Sequence, residues 1–453
     1  MSCLSHKSVL FLILIAATAI RFVGLGEKQL WIDEIIQVLH SRPDSIGEIL
    51  KGVAQDRGGV PVDYVVQHYV MKAIAAPVET SARLHAALFG SISVALMYVL
   101  SFHLLKRRRI AMWATALYAV FPFHHHYSQE GRPYALFLML VLALSILFIH
   151  ARTCSSWTIV LSMSLCAAIG LYTHPFTAFF ILALISINLF RLFSGKVPKP
   201  NLGFCAPLIS GAIGTCLFVP WLLFSFKSSG EFSEPLSLNL IPEAIQGLGD
   251  GSYPVSIILL ALASLGAFHL WKLRLDALTD LTCWIVVPIP LILFVLYWRS
   301  YFFAARQLIF ITPAIVLLAA WGIERLLCRY GKKAMVVPVV WILLCLAVIV
   351  RHYPDDRIDF RSAGEYLSRA AAAGDRIVAP NSLGLLSFYF PAIYAHEGDG
   401  FEPGAKRLFF VDTQYASAAE RGPLLGIQAR MALRKHVEYR GISIHIFEHE
   451  GIE

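Results

Sequence analysis

Val9-Leu10-Phe11-Leu12-Ile13-Leu14-Ile15-Ala16-Ala17-Thr18-Ala19-Ile20 is an apolar run that continues, past Arg21, into Phe22-Val23-Gly24-Leu25. A soluble helix needs only one apolar face. A run that is apolar all round reads as a helix crossing a bilayer. Val255–Ala267 and Leu308–Ala320 repeat the pattern. The composition agrees. Of 453 residues, 57% are hydrophobic and 15% are charged, against roughly 45–50% and about 25% in soluble domains. The missing charge means that most of the surface faces lipid. Ala17-Thr18-Ala19 has the small-residue pattern of a signal-peptidase site, yet the apolar run continues beyond it, so a retained first helix is expected.

Stretches long enough to span fall near 8–26, 83–105, 110–127, 132–150, 157–173, 175–193, 203–226, 254–272, 280–298, 307–327 and 334–350. The third is interrupted by Pro122 and ends in His124-His125-His126. The expected fold class is an all-α polytopic membrane protein of about eleven transmembrane helices with a small α/β C-terminal domain. The membrane domain covers 1–351 and includes a polar first loop, 27–82, whose amphipathic stretches Ile46–Val53 and Tyr64–Ala75 suit interfacial helices. The second domain covers 352–453. There, Arg361–Ala373 and Ala416–Lys435 read as helices, and Arg376–Ala379, Arg407–Val411 and Ile442–Phe447 as strands.

The net charge of +8 comes from short basic clusters between apolar runs, such as Lys106-Arg107-Arg108-Arg109 and Lys332-Lys333. That is the pattern by which membrane proteins fix their orientation, and no nucleic-acid partner is expected. The same loops place the N-terminus in the cytoplasm of an inner or plasma membrane. An odd number of spans then makes the C-terminal domain extracytoplasmic. The eight cysteines lie in or beside apolar spans or at the N-terminus, without a C-x-x-C pair, so neither disulfides nor a thiolate metal site is expected.

The ionisable residues of the non-cytoplasmic loops share one side of the membrane. They are Asp33-Glu34 after the first span, Asp56-Arg57, Asp63, Arg83 at the head of the second span, His124 to Arg132, His174, and Arg299 and Arg306. Such groups at span mouths are costly unless they pair or act. A carboxylate there can serve as general base to a hydroxyl or amine, and arginines can bind a phosphate. The alternative is that Asp33 and Glu34 cap a helix and the arginines anchor at headgroups. Spacing alone leaves both open.

Leu30-Trp31-Ile32-Asp33-Glu34 resembles the L-W-x-D-E of family-39-like polyprenyl-phosphate-sugar glycosyltransferases. These are GT-C-fold relatives of the protein O-mannosyltransferases and the lipid A aminoarabinose transferase. Phe121-Pro122-Phe123-His124 and Tyr127-Ser128-Gln129-Glu130-Gly131-Arg132-Pro133-Tyr134-Ala135-Leu136 are similar to the family's S-P-x-H-x-x-Y-S-Q-E-x-R-x-Y-x-L. Leu171-Tyr172-Thr173-His174 and Val219-Pro220-Trp221-Leu222 also fit. Two positions depart from the pattern. Gly59-Val60-Pro61-Val62-Asp63-Tyr64 stands where the family has H-P-P-L-Y-Y, and Arg306-Gln307 where it often has R-Y. Both bear on substrate more than on reaction class.

The resemblance implies hexosyl or pentosyl transfer, with inversion, from a polyprenyl-phosphate sugar donor to a lipid, glycan or protein acceptor. Membrane lipids surround the enzyme. Asp33 would be the catalytic carboxylate, with Glu34 supporting it. Arg83, Arg132 and Arg306 are candidates for the phosphate, and Glu130 for pairing with Arg132 or touching the sugar. His124, Tyr127, Asp63 and His174 would line the substrate site. No cofactor is implied, and a metal requirement stays open. Consecutive imidazoles at 124–126 cannot all converge on one ion, and D-x-D, H-E-x-x-H, G-x-S-x-G and P-loop patterns are absent from the chain. A transporter or flippase of a lipid-linked or polar substrate is the alternative. It calls for ionisable groups in mid-span and inverted repeats, whereas here the charges sit at span ends.

Overall fold

The computed structural model describes residues 5–55, 59–196, 201–225, 239–273, 276–298, 303–353, 357–380, 382–398, 404–414 and 421–448. Asp56, Arg57, Arg299, Tyr301 and Phe302 lie outside them. The chain forms two compact units. One comprises Met1–Gly26 and Gln37–Tyr353, and the other Glu27–Ile36 and Pro354–Glu453.

The first unit is helical. Its N-terminal part holds α1 (His6–Phe22), the end of α2 (Ile32–Ser41), α3 (Ile46–Gln55), α4 (Pro61–Ala73) and α5 (Val78–Ser81). Then come α6 (Leu84–Leu105), α7 (Arg108–Ala119), α8 (Pro122–Ser128), α9 (Tyr134–Thr153), α10 (Trp157–Thr173), α11 (Thr177–Phe193) and α12 (Leu202–Ser225). The last part holds α13 (Leu240–Leu248), α14 (Tyr253–Lys272), α15 (Asp276–Val286), α16 (Pro288–Trp298), α17 (Thr312–Tyr330) and α18 (Val336–Arg351). Among the described residues, six helical stretches are long and apolar enough to cross a membrane, namely Val78–Leu105, Tyr134–Thr153, Leu202–Ser225, Tyr253–Lys272, Asp276–Trp298 and the double-length Ala305–Arg351. Helices α10 and α11 are apolar but shorter.

The expected third span, 110–127, is two helices rather than one. Helix α7 ends at Ala119, and Phe121 is extended at φ −67°, ψ 114° before Pro122 opens α8. The residue before proline is driven out of the helical region, and proline has no N–H to continue the ladder. The two free carbonyls at this break, Tyr118 and Ala119, are taken by Arg21. Its Nη1 donates to Ala119 O at 3.1 Å and to Ala17 O at 2.7 Å, and its Nη2 reaches Tyr118 O at 3.5 Å. Nη2 also meets His124 Nδ1 at 2.8 Å, and the His124 ring stacks on Tyr118 at 4.1 Å. A fully buried guanidinium in α1 is thereby bonded to α7 and α8. Helix α8 in turn lies close to α6, because a Cβ on Gly90 would fall 2.2 Å from Ser128 Oγ.

At the basic ends of the spans, Arg152 bonds Asp280 at 2.6 Å, Arg191 reaches Asp280 at 3.4 Å and Asp276 at 3.0 Å, and Lys196 meets Asp276 at 2.5 Å. This network joins the ends of α9 and α11 to the start of α15, so part of the loop charge is structural.

The second unit has a four-stranded sheet in the order β1-β2-β4-β3, from β1 (Arg376–Val378), β2 (Arg407–Thr413), β3 (Ala432–Tyr439) and β4 (Ile442–Glu448). Strands β1 and β2 are parallel, and the other pairs are antiparallel. Helix α19 (Phe360–Ala370) buries Phe360, Ala363, Gly364 and Leu367, the i, i+3, i+4, i+7 stripe of an amphipathic helix. Helices α20 (Leu383–Tyr389) and α21 (Gly422–Gln428) complete the described part. The expected helix 416–435 is corrected here. Only α21 is helical among its described residues, and Ala432 onward is strand. The composition Ala429-Arg430-Met431-Ala432-Leu433-Arg434-Lys435 favours helix locally, but pairing of Ala432–Tyr439 with β4 overrides that weak preference.

Helices α14 and α17 of the first unit cross with their backbones in close approach. A Cβ on Gly266 would lie 1.9 Å from Leu318 O, and one on Gly322 would lie 2.1 Å from Leu262 O. Two backbones meet there with no side chain between them. Overpacking of this kind costs about 1–3 kcal/mol. Gly266→Ala is therefore expected to lower the thermal unfolding midpoint of the detergent-solubilised protein. A midpoint equal to that of the wild type would refute the close approach.

Candidate active site

Asp33 and Glu34 stand in the first turn of α2, where carboxylates suit the positive end of the helix dipole. They have different surroundings. Glu34 is fully buried. Its Oε2 accepts from Arg357 Nη1 at 2.7 Å and from the Trp31 N–H at 3.4 Å. Arg357 Nη1 also donates to Gln29 O at 2.8 Å, the Arg361 N–H donates to Gln29 Oε1 at 3.3 Å, and the Leu30 N–H donates to Tyr389 Oη at 3.0 Å. The stretch 27–36 is thus bound to the segment before α19, to α19 and to α20 within the second unit. Asp33 is half-buried on the same turn. Neighbours on a helix diverge by about 100°, so the two carboxylates meet different surroundings.

In the first unit, Asp63 is buried on α4. Its Oδ2 accepts from Gln37 Nε2 at 2.6 Å and lies 3.3 Å from His85 Nε2. Its Oδ1 is buried without a hydrogen-bond partner. Gln67, one turn further on, donates to Ala82 O at 2.9 Å and to Gly131 O at 3.5 Å. It ties α4 to the turn that carries Glu130 and Arg132. Arg83 is buried and donates to Leu25 O at 3.0 Å.

Tyr127, Glu130, Arg132, His174 and Arg306 gather around one aromatic chain. Tyr127 meets Tyr134 at 4.8 Å, Tyr134 meets His174 at 5.9 Å, and His174 stacks on Phe137 at 4.6 Å. Burial, then the charge of Arg132, then that of Arg306 push the His174 imidazolium down to about 3. His174 is therefore neutral at physiological pH, and its Nδ1 accepts from the Phe176 N–H at 3.2 Å. Burial raises the Tyr127 phenol, Glu130 and Tyr134 add to the rise, and Arg306 opposes it. Two guanidinium groups and one carboxylate thus act on the same small region.

Glu130 Oε2 lies 3.3 Å from His126 Nε2. The other nitrogen of that ring, Nδ1, lies 3.2 Å from Asp250 Oδ1, and His352 Nδ1 lies 2.9 Å from Asp250 Oδ2. Burial works against charge on His126, but Asp250 and then Glu130 outweigh it and raise the imidazolium to about 10. Of the consecutive histidines, His124 is turned onto Arg21, His125 is buried with neither ring nitrogen hydrogen-bonded, and His126 faces the acids. Arg21, Gln37, His85, Asp250, His352 and Arg357 are not among the site residues expected from the sequence. The signals available were an arginine inside an apolar run and an Asp-Gly turn in a loop without basic residues.

The family model described as dolichyl-phosphate-mannose-protein mannosyltransferase matches residues 61–224. Among solved structures, ArnT from Cupriavidus metallidurans bound to undecaprenyl phosphate aligns with a TM-score of 0.64 at 12% identity, over 96% of this chain and 97% of that one. The chain has the GT-C fold. ArnT in its apo state aligns equally well, with a TM-score of 0.65 at 10% identity over the same shares. The archaeal oligosaccharyltransferase AglB from Archaeoglobus fulgidus, in complex with an inhibitory peptide and a dolichol-phosphate, gives 0.56 at 8% identity over 89% of this chain and 69% of that one. No curated protein matches the chain. Within this GT-C chain, Asp63, Arg83, Glu130, Arg132 and His174 fall inside the family match, and Asp33, Glu34 and Arg306 outside it.

The environment of Glu34 gives a direct test. Removing one partner of a buried ion pair costs about 3–5 kcal/mol, because the other charge is left in low dielectric. Arg357→Ala is expected to speed amide exchange across Glu27–Ile36 while leaving α6 unchanged. Adding Glu34→Gln should recover part of the protection. Unaltered exchange in the single variant would show that the pair does not hold this segment.

Proposed function

We propose that this protein is an integral membrane glycosyltransferase that moves a sugar from a polyprenyl-phosphate donor to an acceptor on the non-cytoplasmic face. The observation that carries this reading is the GT-C fold over nearly the whole chain, shared with ArnT bound to undecaprenyl phosphate. The family match at 61–224 supports it, since that stretch contains the run Tyr127 to Tyr134.

In the proposed reaction the acceptor oxygen or nitrogen attacks the anomeric carbon from the face opposite the phosphate. The new bond forms as the carbon–oxygen bond to the phosphate breaks, and the configuration inverts. Asp33 takes the acceptor proton, a role open to a half-buried carboxylate on a helix first turn. Glu34, already bonded to Arg357, positions that turn and stays out of the chemistry. The leaving polyprenyl phosphate gains one negative charge. Arg132 and Arg306 bind it, with guanidinium forks matched to phosphate oxygens. Neutral His174 adds no competing charge, and Arg83 orders the head of α6 through Leu25. The stretch 27–36 and the C-terminal domain belong to the non-cytoplasmic side, and the N-terminus to the cytoplasm.

Sugar transfer from defined polyprenyl-phosphate donors in proteoliposomes tests the proposal. Asp33→Asn is expected to lower kcat by about 10²–10⁴-fold, the usual contribution of a general base, with donor binding retained. Wild-type activity in that variant would exclude Asp33 as the base. Arg306→Met is expected to raise KM for donor more than it lowers kcat. An unchanged KM would remove Arg306 from phosphate binding.

A further inference from the structure

We propose that His126, Asp250 and His352 form a binding site for one divalent transition-metal ion of the zinc class. The three residues come from segments far apart in sequence: helix α8, the turn after α13, and the residue just beyond α18. One donor atom from each lies within 4.8 Å of the others. His126 Nδ1 lies 3.2 Å from Asp250 Oδ1, and His352 Nδ1 lies 2.9 Å from the other carboxylate oxygen, Oδ2. A tetrahedral zinc ion with bonds near 2.0–2.1 Å sets neighbouring ligands about 3.3 Å apart. Each ring nitrogen therefore stands near ligand spacing from one carboxylate oxygen, and the three donors have to close from within 4.8 Å to surround an ion.

The surroundings fit ligation as well as the donors do. Metal-bound histidines commonly donate their second ring N–H to a carboxylate, which fixes the tautomer and raises ligand basicity. Glu130 Oε2 stands 3.3 Å from His126 Nε2 in that relation. Two imidazoles and one carboxylate favour zinc and its neighbours over magnesium or calcium, which prefer all-oxygen shells. The side chains of His126 and His352 are 35% and 36% exposed and that of Asp250 13%. The trio is thus reachable from solvent.

The backbone points the same way. Asp250 adopts φ 52° and Gly251 φ 87°. A left-handed residue other than glycine costs roughly 1–2 kcal/mol, and here the turn aims the Asp250 carboxylate between the two rings. Binding releases the imidazole protons and replaces their charge with that of the ion. The site includes neither Asp33 nor Glu34. It belongs wholly to the helical unit, and its occupancy can be read without any sugar donor.

The test uses the full chain in detergent, stripped with chelator, desalted, and reloaded with Zn²⁺ or Co²⁺. Wild type is expected to retain one zinc per chain by elemental analysis. The cobalt form should show the intense visible bands of a tetrahedral site. Asp250→Asn and His352→Gln should each weaken binding at least about 100-fold, and Glu130→Gln by roughly 10–100-fold. Asp33→Asn should bind as wild type does. His352→Cys guards against loss of fold, since a thiolate in that place should keep cobalt and add a sulfur charge-transfer band in the near ultraviolet. Sub-stoichiometric zinc in wild type, or equal affinity in Asp250→Asn, would overturn the site and leave the trio as an ion-paired clasp. Loss of transfer in Asp33→Asn with zinc retained would separate the two proposals.

Discussion

A buried arginine in an apolar span must find acceptors, and the way Arg21 finds them shapes the helices around it. Its guanidinium stays charged under any ordinary condition, and burial without partners would cost several kcal/mol. Pro122 supplies part of the solution by omission. In a continuous helix Tyr118 O would accept from the N–H of residue 122, which proline lacks. The break after α7 frees Tyr118 O and Ala119 O, and Arg21 takes both. His124 fills the remaining position and so fixes the rotation of α8. Once α8 is fixed, His126 and Tyr127 have fixed directions, and Glu130 and Arg132 are placed in turn at its end. The arginine that looks like an interruption of the first apolar run is thus bonded to the break from which α8 starts.

Adjacent carboxylates with different environments recur as a device for giving like groups unlike tasks. Glu34 spends its charge on Arg357, Gln29 shares that guanidinium, and Tyr389 holds the backbone just before it. The turn that carries Asp33 is therefore built from the sheet-containing unit rather than from the spans beside it in sequence. Helix α2 passes from one unit to the other at Ile36. Its first turn, with Asp33, is thus held by one set of partners, and Gln37, one turn on, by another.

Much of this was legible in the sequence. The spans announced themselves because a bilayer demands apolar residues all round a helix, and ten of the eleven expected stretches overlap continuous or nearly continuous helices. The exception, 110–127, contained its own warning in Pro122. The three strands 376–379, 407–411 and 442–447 were readable from β-branched and aromatic alternation. Strand β3 was not, because Arg434 and Lys435 on an exposed edge imitate a helix face, and only pairing with β4 decides the matter. In the candidate site, residue types could be read. Partnerships could not. Nothing in Asp33-Glu34 says which of the pair meets Arg357, and no local signal joins His126 to Asp250 and His352, because those contacts depend on how distant helices pack.

The clasp between Glu34 and Arg357 also sets an order of events during synthesis. The two residues are separated by 323 positions. At elongation rates of 5–20 residues per second, roughly 15–65 s pass between the emergence of one and the arrival of the other. Throughout that interval the helices that lie between the two residues in sequence can insert and pack, while the Glu34–Arg357 pair has yet to form. That pair can form only after the chain has been made through Arg357. The turn that carries Asp33 is thus made well before the residue that pairs with its neighbour Glu34, and a chain truncated before Arg357 would lack that pair.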